Sequence, residues 1–399
     1  MKLLDTSIKN KVLDRMCTIL DEQREAILSA NKKDVEAFNR DDQALLDRLI
    51  VNHKKIDEMI SAVEHVRHQD DPVSRDISSR TLKNGLRIVN KTAPFGTILI
   101  IYESRPDVTI EAAVLAFKAN NKILLKGGKE AYHSNVILEA CWHQALSDCG
   151  LSKNWIRLMH LNREETQAFL KSPSEPLDLI VPRGGERLID FVKTNATCAV
   201  LVSGRGNNFL YVSEHADWGK AVKVIINAKT DKISGCNALD KVLINKNLPE
   251  YDTKLKMLQQ KLAQYKVDLL VDDKVGSILE EEQIVNNDQV WYEEFLALKL
   301  LIGEVSSIEE AMDTINRYSG KHSASILTED TSEAETFMQD VDCAAVYHNA
   351  STRFTDGGQM GVGAELAIST DKLHHRGPLG LHQLVTNKYY VFGDGHVRV

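Results

Sequence analysis

A cysteine at position 236 stands out as a candidate for covalent chemistry. It lies in the stretch NAKTDKISGCNALDKVLI, between Asn227 and Ile244, after a Ser-Gly pair and directly before Asn237. A cysteine in such a place fills a core, pairs in a disulfide, binds a metal or acts as a nucleophile. A thiolate nucleophile forms covalent acyl intermediates, which splits a difficult transfer into two easier steps.

The other cysteines and the N-terminus narrow these four interpretations. None of the six cysteines forms a C-x-x-C pair, so the zinc-site and thioredoxin-like patterns are absent. The start, MKLLDTSIKNKVLDR, shows no apolar signal region, which predicts a cytoplasmic protein in which disulfides are disfavoured. Core filler and nucleophile therefore remain open for Cys236. The cysteines are Cys17, Cys141, Cys149, Cys198, Cys236 and Cys343.

Length and charge exclude several classes of function. A chain of 399 residues is too long for one ordinary core and predicts two or three domains. The net charge of −8 argues against a nucleic-acid binder, because phosphate contact needs clustered Lys and Arg. The longest apolar run, near Thr97–Tyr102, is far shorter than the ~20 residues of a membrane span, so no membrane partner is expected.

Three glycine loops follow short apolar runs, and each could hold an anion. A strand, a glycine turn and a helix place backbone N–H groups at a helix N-terminus, which favours anions. Tight turns that need a positive φ explain each loop equally well when it is taken alone. Three loops on one sheet favour a dinucleotide or phosphate ligand, although the G-x-G-x-x-G pattern is absent. The loops are Lys126–Gly128, Pro182–Gly185 and Ser203–Asn207.

The elements that must position these loops alternate between strands and helices. Residues 1–67 show apolar residues at three- and four-residue spacing, which predicts helices. Asn84-Gly85 predicts a hairpin whose strand edges need a partner. From Pro94 onward the βαβ alternation predicts a parallel sheet covered by helices, and it resumes after Cys236 as a second α/β unit.

Four long stretches resemble one known family. They are YESRPDVTIEAAVLAFKANNKILLKGGKEAYHSN, LIVPRGGERLIDFV, NAKTDKISGCNALDKVLINKNL and NASTRFTDGGQMGVGAELAISTDKLHHRGPLGL. The sequence is similar to the γ-glutamyl phosphate reductases, which belong to the aldehyde-dehydrogenase-like superfamily. The resemblance covers nearly the whole chain.

The resemblance implies an α/β fold with a Rossmann-type cofactor domain, an α/β catalytic domain and a small β oligomerisation hairpin. Residues 1–77 and 94–229 would form the cofactor domain, and residues 230–365 the catalytic domain. Residues 366–383 would return to the cofactor domain. Residues 78–93 and 384–399 would form the oligomerisation region of a homodimer or homotetramer.

The reaction that the resemblance implies is a step of proline biosynthesis. NADPH reduces L-glutamate 5-phosphate to L-glutamate 5-semialdehyde and phosphate through a cysteine thioester. Because no kinase domain precedes residue 1, we expect a separate glutamate kinase to supply the labile substrate, and transient contact with that kinase is a hypothesis. Two alternatives stay open. One is a thiol-dependent oxidoreductase for another aldehyde or acyl phosphate, and the other is an inactive paralogue that acts as a binding protein.

The resemblance assigns catalytic roles to three residues. Cys236 matches the nucleophile, and no metal is expected. Ser104 stands where many aldehyde dehydrogenases have the asparagine that stabilises the oxyanion, and Asn237 is the alternative donor. Val202 replaces the glutamate that activates water in hydrolytic relatives, which suits a reductase.

Five residues are expected to hold the cofactor. Lys126 matches the lysine near the adenosine ribose, and Lys129 replaces a glutamate found in NAD-specific members. A cation there attracts the 2′-phosphate of NADPH, and the alternative is a solvated helix start. Gly184 and Gly185 match the turn beside the pyrophosphate, and Glu294 matches the acid on the nicotinamide ribose.

The substrate is anionic, and three arginines in motif loops suit its carboxylate and phosphate. They are Arg105, Arg183 and Arg353, each with a surface salt bridge as its alternative role. No general-base role is expected for the histidines, because the thiol needs only to be deprotonated.

The sequence departs from the family pattern at a few positions, which bears on substrate choice. Asn208 and Phe209 replace a Cys-His pair, Ile233 replaces a proline, and Ala324 replaces an acid.

Overall fold

The computed structural model describes residues 2–39, 42–280, 283–285 and 287–398. The chain forms two compact units. Unit 1 contains Met1–Val202, Gly361–Ala367 and Leu379–Val399, and unit 2 contains Ser203–Met360 and Ile368–Pro378. Within the described part of the chain, no helix is both long and apolar enough to cross a membrane.

Unit 1 begins with helices whose apolar faces are buried. Val12, Met16 and Ile19 recur at helical spacing and are all fully buried. The fourth helix starts at a capping asparagine, because the Asn52 side chain accepts a hydrogen bond from the backbone N–H of Lys55 at 2.9 Å. The helices are α1 (Thr6–Glu22), α2 (Arg24–Glu36), α3 (Gln43–Leu49) and α4 (His53–His68).

A parallel sheet forms the centre of unit 1. Its strands, in spatial order, are β5 (Ile156–Leu158), β4 (Lys122–Lys126), β3 (Thr97–Tyr102), β6 (Leu179–Arg183) and β7 (Ala199–Val200). The connecting helices are α5 (Val108–Lys118), α6 (Tyr132–Asp148), α7 (Arg163–Lys171) and α8 (Glu186–Asn195).

Both faces of this sheet are covered, which explains why its strands are nearly continuous apolar runs. Ile98 and Ile100 of β3 pack with α1, α4, α5 and α6, whereas Leu99 and Ile101 pack with α7 and α8. Because the strands are parallel, the loops that follow β3, β4 and β6 lie at the same edge of the sheet. The candidate cofactor loops are therefore neighbours.

A small antiparallel sheet completes unit 1. It consists of β1 (Asp76–Thr81), β2 (Arg87–Pro94) and β16 (Val385–Phe392), with β2 in the middle. The turn between β1 and β2 contains Gly85 at φ +92°, where a left-handed residue is needed. The hairpin predicted at Asn84-Gly85 is therefore present, and β16 covers one of its edges.

Unit 2 is built on a second parallel sheet. Its strands, in spatial order, are β10 (Asp268–Val271), β11 (Lys299–Val305), β9 (Leu239–Asn245), β8 (Asn208–Val212), β12 (Ser323–Leu327) and β13 (Ala345–His348). Its helices are α9 (Trp218–Thr230), α10 (Tyr251–Gln264), α11 (Asp273–Leu279), α12 (Gln289–Tyr292), α13 (Ile308–Tyr318) and α14 (Thr331–Asp340). One face packs with α9, α10 and α11, and the other packs with α13 and α14.

The predicted parallel α/β architecture is confirmed, but the compact units differ from the predicted domain boundaries. Residues 203–229 lie in unit 2 rather than with residues 94–202, because β8 pairs with β9 and β12. The predicted return segment 366–383 is also divided, since Ile368–Pro378 belongs to unit 2. This part of the chain carries β14 (Glu365–Ser369) and β15 (Gly377–Gly380), which pair with each other. The assignment of a cofactor domain and a catalytic domain stays a prediction.

Candidate active site

The Cys236 thiol is exposed on a tight loop of unit 2 between α9 and β9. Two backbone hydrogen bonds shape the loop. Gly235 N–H donates to the Lys232 carbonyl at 3.1 Å, and Ala238 N–H donates to the Gly235 carbonyl at 3.0 Å. The loop presents the sulfur on its outside while the following residues are buried in the sheet.

The remaining thiols are less suited to nucleophilic attack, because only the thiolate reacts and burial disfavours it. Burial raises the pKa of the other five thiols, to about 11 for Cys17 and Cys343, to about 12 for Cys141, and upward for Cys149 and Cys198. The geometry thus favours Cys236 among the six cysteines.

The side chain of Asn208, on the neighbouring strand β8, forms hydrogen bonds with the Cys236 loop. Its side-chain Nδ2 lies 2.8 Å from the carbonyl oxygens of Gly206 and Cys236 and 2.7 Å from that of Ala238. Asn208 is fully buried, so water does not compete for these bonds. Sequence analysis noted Asn208 only as a departure from the family pattern, and this positioning role was missed. No local signal marks it, since two of its three partners, Cys236 and Ala238, lie 28 and 30 residues further along the chain.

Asn237 holds a second part of the loop. Its Nδ2 donates to the carbonyl oxygens of Arg353 at 3.1 Å and Thr355 at 2.9 Å, and its own carbonyl accepts from the Thr352 hydroxyl at 2.8 Å. The side-chain amide is thus engaged by backbone. The backbone N–H of Asn237, in contrast, donates to none of the residues that the structure describes.

Gly206 allows a close approach between three parts of unit 2. A Cβ atom at this position would lie 2.6 Å from the Cα atom of Cys236 and 2.6 Å from Oε1 of Glu294. The Glu294 carboxylate therefore lies beside the backbone of the cysteine loop. The structure thus brings two of the predicted site residues together.

Arg353 also lies against the cysteine loop. A Cβ atom at Gly235 would be 2.8 Å from its Nη1 atom, and its Nε atom forms an ion pair with Asp231 at 3.1 Å. A polar cavity of about 260 Å³ opens beside this pair. It is lined by Asn227, Asp231, Arg353, Phe354, Asp356 and Gln359.

Ser104 lies in unit 1, two residues after the end of β3, and is fully buried at φ +41°. Its backbone N–H and its hydroxyl both donate to Oε1 of Glu130, at 2.8 and 2.9 Å. A hydroxyl whose proton is held by a carboxylate has none left for an oxyanion, so this geometry does not support the predicted donor role. The Glu130 carboxylate thus positions the Ser104 loop.

The predicted cofactor residues of unit 1 follow β4 and β6. Lys126 is half-buried and donates to the Gly127 carbonyl at 2.8 Å, and burial lowers its pKa. Lys129 is exposed, and no residue in the described ranges forms a hydrogen bond or ion pair with its side chain. A cation in this state suits a phosphate from solution.

The Gly184-Gly185 turn opens α8 without a side-chain cap. Oε2 of Glu103 lies 3.4 Å from the Gly185 backbone nitrogen and would be 2.7 Å from a Cβ atom at Gly184. A carboxylate of the chain thus lies where the helix N-terminus favours an anion. This is consistent with an anion-favouring turn, and a bound pyrophosphate would displace Glu103.

Arg105 and Arg183 lie near the same acid of unit 1. The pKa of Glu111 is raised, first by burial and then by Asp107, while Arg183 and Arg105 act in the opposite direction. Arg183 donates through Nη1 to the Leu366 carbonyl. The Arg105 guanidinium forms no hydrogen bond or ion pair with any residue that the structure describes.

Two of the remaining departures are buried in unit 2. Phe209 is buried and stacks on Trp291 with a 6.3 Å centroid separation, and Ala324 is buried in β12. His322 is fully buried and burial lowers its pKa to about 4, so it is neutral near pH 7. In the described ranges, no group of three or more His, Cys, Asp or Glu is arranged to hold a metal ion.

Comparisons with known proteins agree with this geometry. The sequence model of the aldehyde dehydrogenase family matches residues 1–294. A glyceraldehyde-3-phosphate dehydrogenase of Methanocaldococcus jannaschii complexed with NADP shares the fold, with a TM-score of 0.69 at 15% identity over 98% of this chain and 91% of that one. The chain is therefore a member of the aldehyde dehydrogenase family.

Closer relatives define the branch of that family. The γ-glutamyl phosphate reductase of Thermotoga maritima is 42% identical over 395 residues, covering 98% of this chain and 94% of the relative. The crystal structure of that enzyme gives a TM-score of 0.94, covering 99% of this chain and 95% of that one. The chain belongs to the γ-glutamyl phosphate reductases.

Proposed function

We propose that this protein reduces L-glutamate 5-phosphate to L-glutamate 5-semialdehyde and phosphate with NADPH, as a step of proline biosynthesis. The observation that carries the proposal is the exposed Cys236 thiol on a loop held by Asn208 and Asn237, in a chain 42% identical to a γ-glutamyl phosphate reductase. The names of the relatives support the substrate, and the cysteine supplies the chemistry.

Cys236 is the proposed nucleophile. Its thiolate attacks the acyl carbon of the substrate, a carbon–sulfur bond forms, and the bond to the phosphate oxygen breaks with release of inorganic phosphate. The product of this half-reaction is a thioester on Cys236. NADPH supplies the hydride that takes this acyl group to the aldehyde level. Collapse of the resulting thiohemiacetal returns the thiolate and frees the aldehyde.

The oxyanion formed at each step needs a hydrogen-bond donor. The backbone N–H of Asn237 is the proposed donor, since it is adjacent to the nucleophile and donates to no described residue. One such donor contributes about 3–4 kcal/mol to transition-state stabilisation in other enzymes. Ser104 and the Asn237 amide then act by holding loops, because their protons are engaged by Glu130 and by backbone carbonyls.

The cofactor residues fit NADPH in their chemistry. Lys129 offers the 2′-phosphate an exposed cation, with Lys126 three residues before it at the end of β4. Gly184 and Gly185 offer the α8 N-terminus to the pyrophosphate, and Glu294 would accept hydrogen bonds from the nicotinamide ribose. The relative from Methanocaldococcus jannaschii, which shares the fold, was crystallised with NADP.

The cavity beside Arg353 fits the amino-acid end of the substrate. L-glutamate 5-phosphate carries an α-carboxylate and an α-ammonium group, and the cavity offers one guanidinium with the carboxylates of Asp231 and Asp356. We therefore assign the carboxylate to Arg353. Arg105, whose guanidinium makes no bond to the described residues, is then the proposed ligand of the phosphate, and Arg183, which lies near the same acid, Glu111, is the second candidate.

Two further assignments remain proposals about partners. The sheet formed by β1, β2 and β16 would join copies of the chain into a homodimer or homotetramer. Transient contact with glutamate kinase would protect the labile acyl phosphate from hydrolysis. The exposed apolar side chains of β16 favour the first proposal.

The reverse reaction tests the proposed function. Purified protein is mixed with pyrroline-5-carboxylate, which equilibrates with glutamate 5-semialdehyde, and with phosphate and NADP⁺ or NAD⁺. We expect phosphate-dependent reduction of NADP⁺ in the wild type, complete loss in Cys236→Ala, and normal rates in the matched control Cys198→Ser. Phosphate-independent reduction would indicate a hydrolytic dehydrogenase. No reduction by folded protein would assign the chain a different substrate.

A further inference from the structure

Three charged side chains are buried together next to the cysteine loop, and the mechanism above does not use them. They are Lys229 of α9 and Asp240 and Lys241 of β9, whose exposed fractions are 0%, 2% and 0%. Burying a charge is costly unless it is paired and hydrogen-bonded. The contacts of these three residues show what offsets the cost.

Asp240 connects two parts of unit 2. Its Oδ1 atom accepts from the Lys229 ammonium at 3.0 Å, and Lys229 also donates to the Leu239 carbonyl at 2.8 Å. Its Oδ2 atom accepts from the backbone N–H of Phe295 at 3.0 Å. The carboxylate therefore anchors the residue that directly follows Glu294.

Lys241 anchors the residue that directly precedes Glu294. Its ammonium donates to the Glu293 carbonyl at 2.7 Å and lies 3.7 Å from the centroid of the Phe295 ring. Both contacts are with the segment that carries Glu294, and cation–π contacts of this kind strengthen when they are desolvated. The backbone on either side of Glu294 is thus held by two adjacent residues of one strand.

We propose that Asp240 and Lys241 are positioning residues that hold the Glu294 carboxylate in its place beside the Cys236 loop. The inference rests on the proposed role of Glu294 toward the nicotinamide ribose. A Glu294 carboxylate that binds a ribose hydroxyl needs a fixed backbone. Holding that backbone is the proposed function of the buried Lys241. The Asn207 amide supports the same segment by donating to the Trp291 carbonyl at 2.7 Å.

The charge of the Lys241 ammonium changes near neutral pH. Burial lowers its pKa to about 7; Asp240, Glu293 and Glu294 act against this shift, and Lys229 acts with it. Lys241 is therefore charged below about pH 7 and becomes a neutral amine as the pH rises. A neutral amine keeps a weaker hydrogen bond to Glu293 and loses its cation–π contact. The hold on Glu294 should weaken above pH 7.

The test measures NADP⁺ binding by calorimetry, without substrate, for wild type, Lys241→Met, Glu294→Gln and the double variant. Lys299→Met is the matched control, because Lys299 faces the same Phe295 ring at 5.8 Å but is partly exposed. We expect Lys241→Met to raise Kd about tenfold, or about 1.4 kcal/mol, and Lys299→Met to leave it unchanged. The double variant should bind no more weakly than Glu294→Gln alone, since both changes act through one carboxylate.

Two further measurements test the positioning role of Asp240 and Lys241. The wild-type Kd should rise between pH 7 and pH 9, and this rise should be absent in Lys241→Met. Amide hydrogen exchange of the peptide covering residues 287–298 should be faster in Lys241→Met and in Asp240→Asn than in the wild type. These readouts do not depend on turnover. In Lys241→Met the Asp240 carboxylate keeps its ion pair with Lys229, so no buried carboxylate is left without a cation.

The outcomes separate the inference from the proposed function. Unchanged Kd in Lys241→Met, or additive losses in the double variant, would overturn the positioning role while leaving the reductase assignment intact. Unchanged Kd in Glu294→Gln would remove the ribose role and with it this inference. A wild type that binds no NADP⁺ would refute the proposed cofactor itself.

Discussion

Cys236 differs from the other cysteines in its surroundings rather than in its chemistry. Five thiols are held in the protonated form by burial, whereas Cys236 is exposed on a loop fixed by amide hydrogen bonds. The fixing matters because acyl transfer to sulfur requires the carbon and the thiolate to meet at a defined angle. At the scale of single residues, the positioning amides thus complement the proposed nucleophile.

Replacing Asn208 tests whether its amide positions the Cys236 loop. We expect Asn208→Ala to lower kcat/KM by about 10–100-fold, because small displacements of reacting groups have effects of this size. Asn316→Ala is the control, since Asn316 donates to the Asp340 carbonyl at 3.0 Å in the same unit, on helix α13. Both variants should lose stability, but only the first should lose activity well below its melting temperature. Full activity in Asn208→Ala would contradict the positioning role.

At the scale of elements, one carboxylate binds two side chains of the segment Ile368–Pro378 of unit 2. Oδ1 of Asp342 accepts from Arg376 at 2.7 Å and Lys372 at 3.0 Å, and Oδ2 accepts from Lys321 at 3.0 Å. Lys372 and Arg376 lie on the segment, so Asp342 holds it to the loop that follows α14. Burial raises the pKa of Asp342, but the three cations outweigh it and hold the pKa below its usual range.

The effect of Asp342 on stability should depend on pH. A carboxylate whose pKa is depressed in the folded state stabilises it above the unfolded pKa of about 3.9. This stabilisation is lost as the pH falls through the folded-state value. We expect Asp342→Asn to lower the free energy of unfolding by about 1–3 kcal/mol at pH 7. The difference from wild type should shrink at pH 3 and below.

Urea unfolding at the two pH values measures this difference. Asp313→Asn, which changes an exposed acid of α13, is the control and should have little effect at either pH. An Asp342→Asn loss of the same size at both pH values would show that the carboxylate does not act through its charge.

The sequence predicted the elements well but not all their partners. Alternation of apolar runs and helical patterns identified both sheets, and Asn84-Gly85 identified the hairpin, because these signals are local. The predicted cofactor domain, residues 94–229, includes β8, because alternation does not show which sheet a strand joins. Only its pairing with β9 and β12 places it in unit 2.

Within the candidate site, too, local sequence signals did not predict contacts between residues that are far apart in the chain. Cys236 was recognisable from its own neighbours, whereas the bond between Ser104 and Glu130 joins residues 26 positions apart. The contacts of Asp240 and Lys241 with residues 293–295 join positions more than 50 apart. The sequence does not show that the Ser104 hydroxyl is hydrogen-bonded in the fold, and it does not show that Lys241 is buried.

At the scale of the whole molecule, the small sheet of unit 1 exposes much of its surface. All six residues of β1 are exposed, and Tyr389, Val391 and Phe392 of β16 expose 60%, 56% and 46% of their surface. Apolar side chains grouped on one sheet generally mark a site of association. The oligomerisation role of residues 78–93 and 384–399 stays a prediction, which this exposed apolar surface favours.

Val391→Lys tests that role. A charge introduced into a buried subunit contact costs several kcal/mol, so we expect the variant to have a smaller mass than the wild type in light scattering after size exclusion. Met257→Lys is the matched control, because Met257 is 51% exposed on α10 in unit 2. Identical masses for Val391→Lys and wild type would place the interface elsewhere.

The pairing of β2 with β16 also has a consequence for the order in which the chain is made. Residues 95–384 are synthesised between these two strands. The β1–β2 hairpin therefore emerges from the ribosome long before the strand that covers its second edge. During that interval, one row of backbone N–H and C=O groups is open to nascent chains on neighbouring ribosomes. The small sheet should therefore be a point at which chaperones influence the yield of native protein.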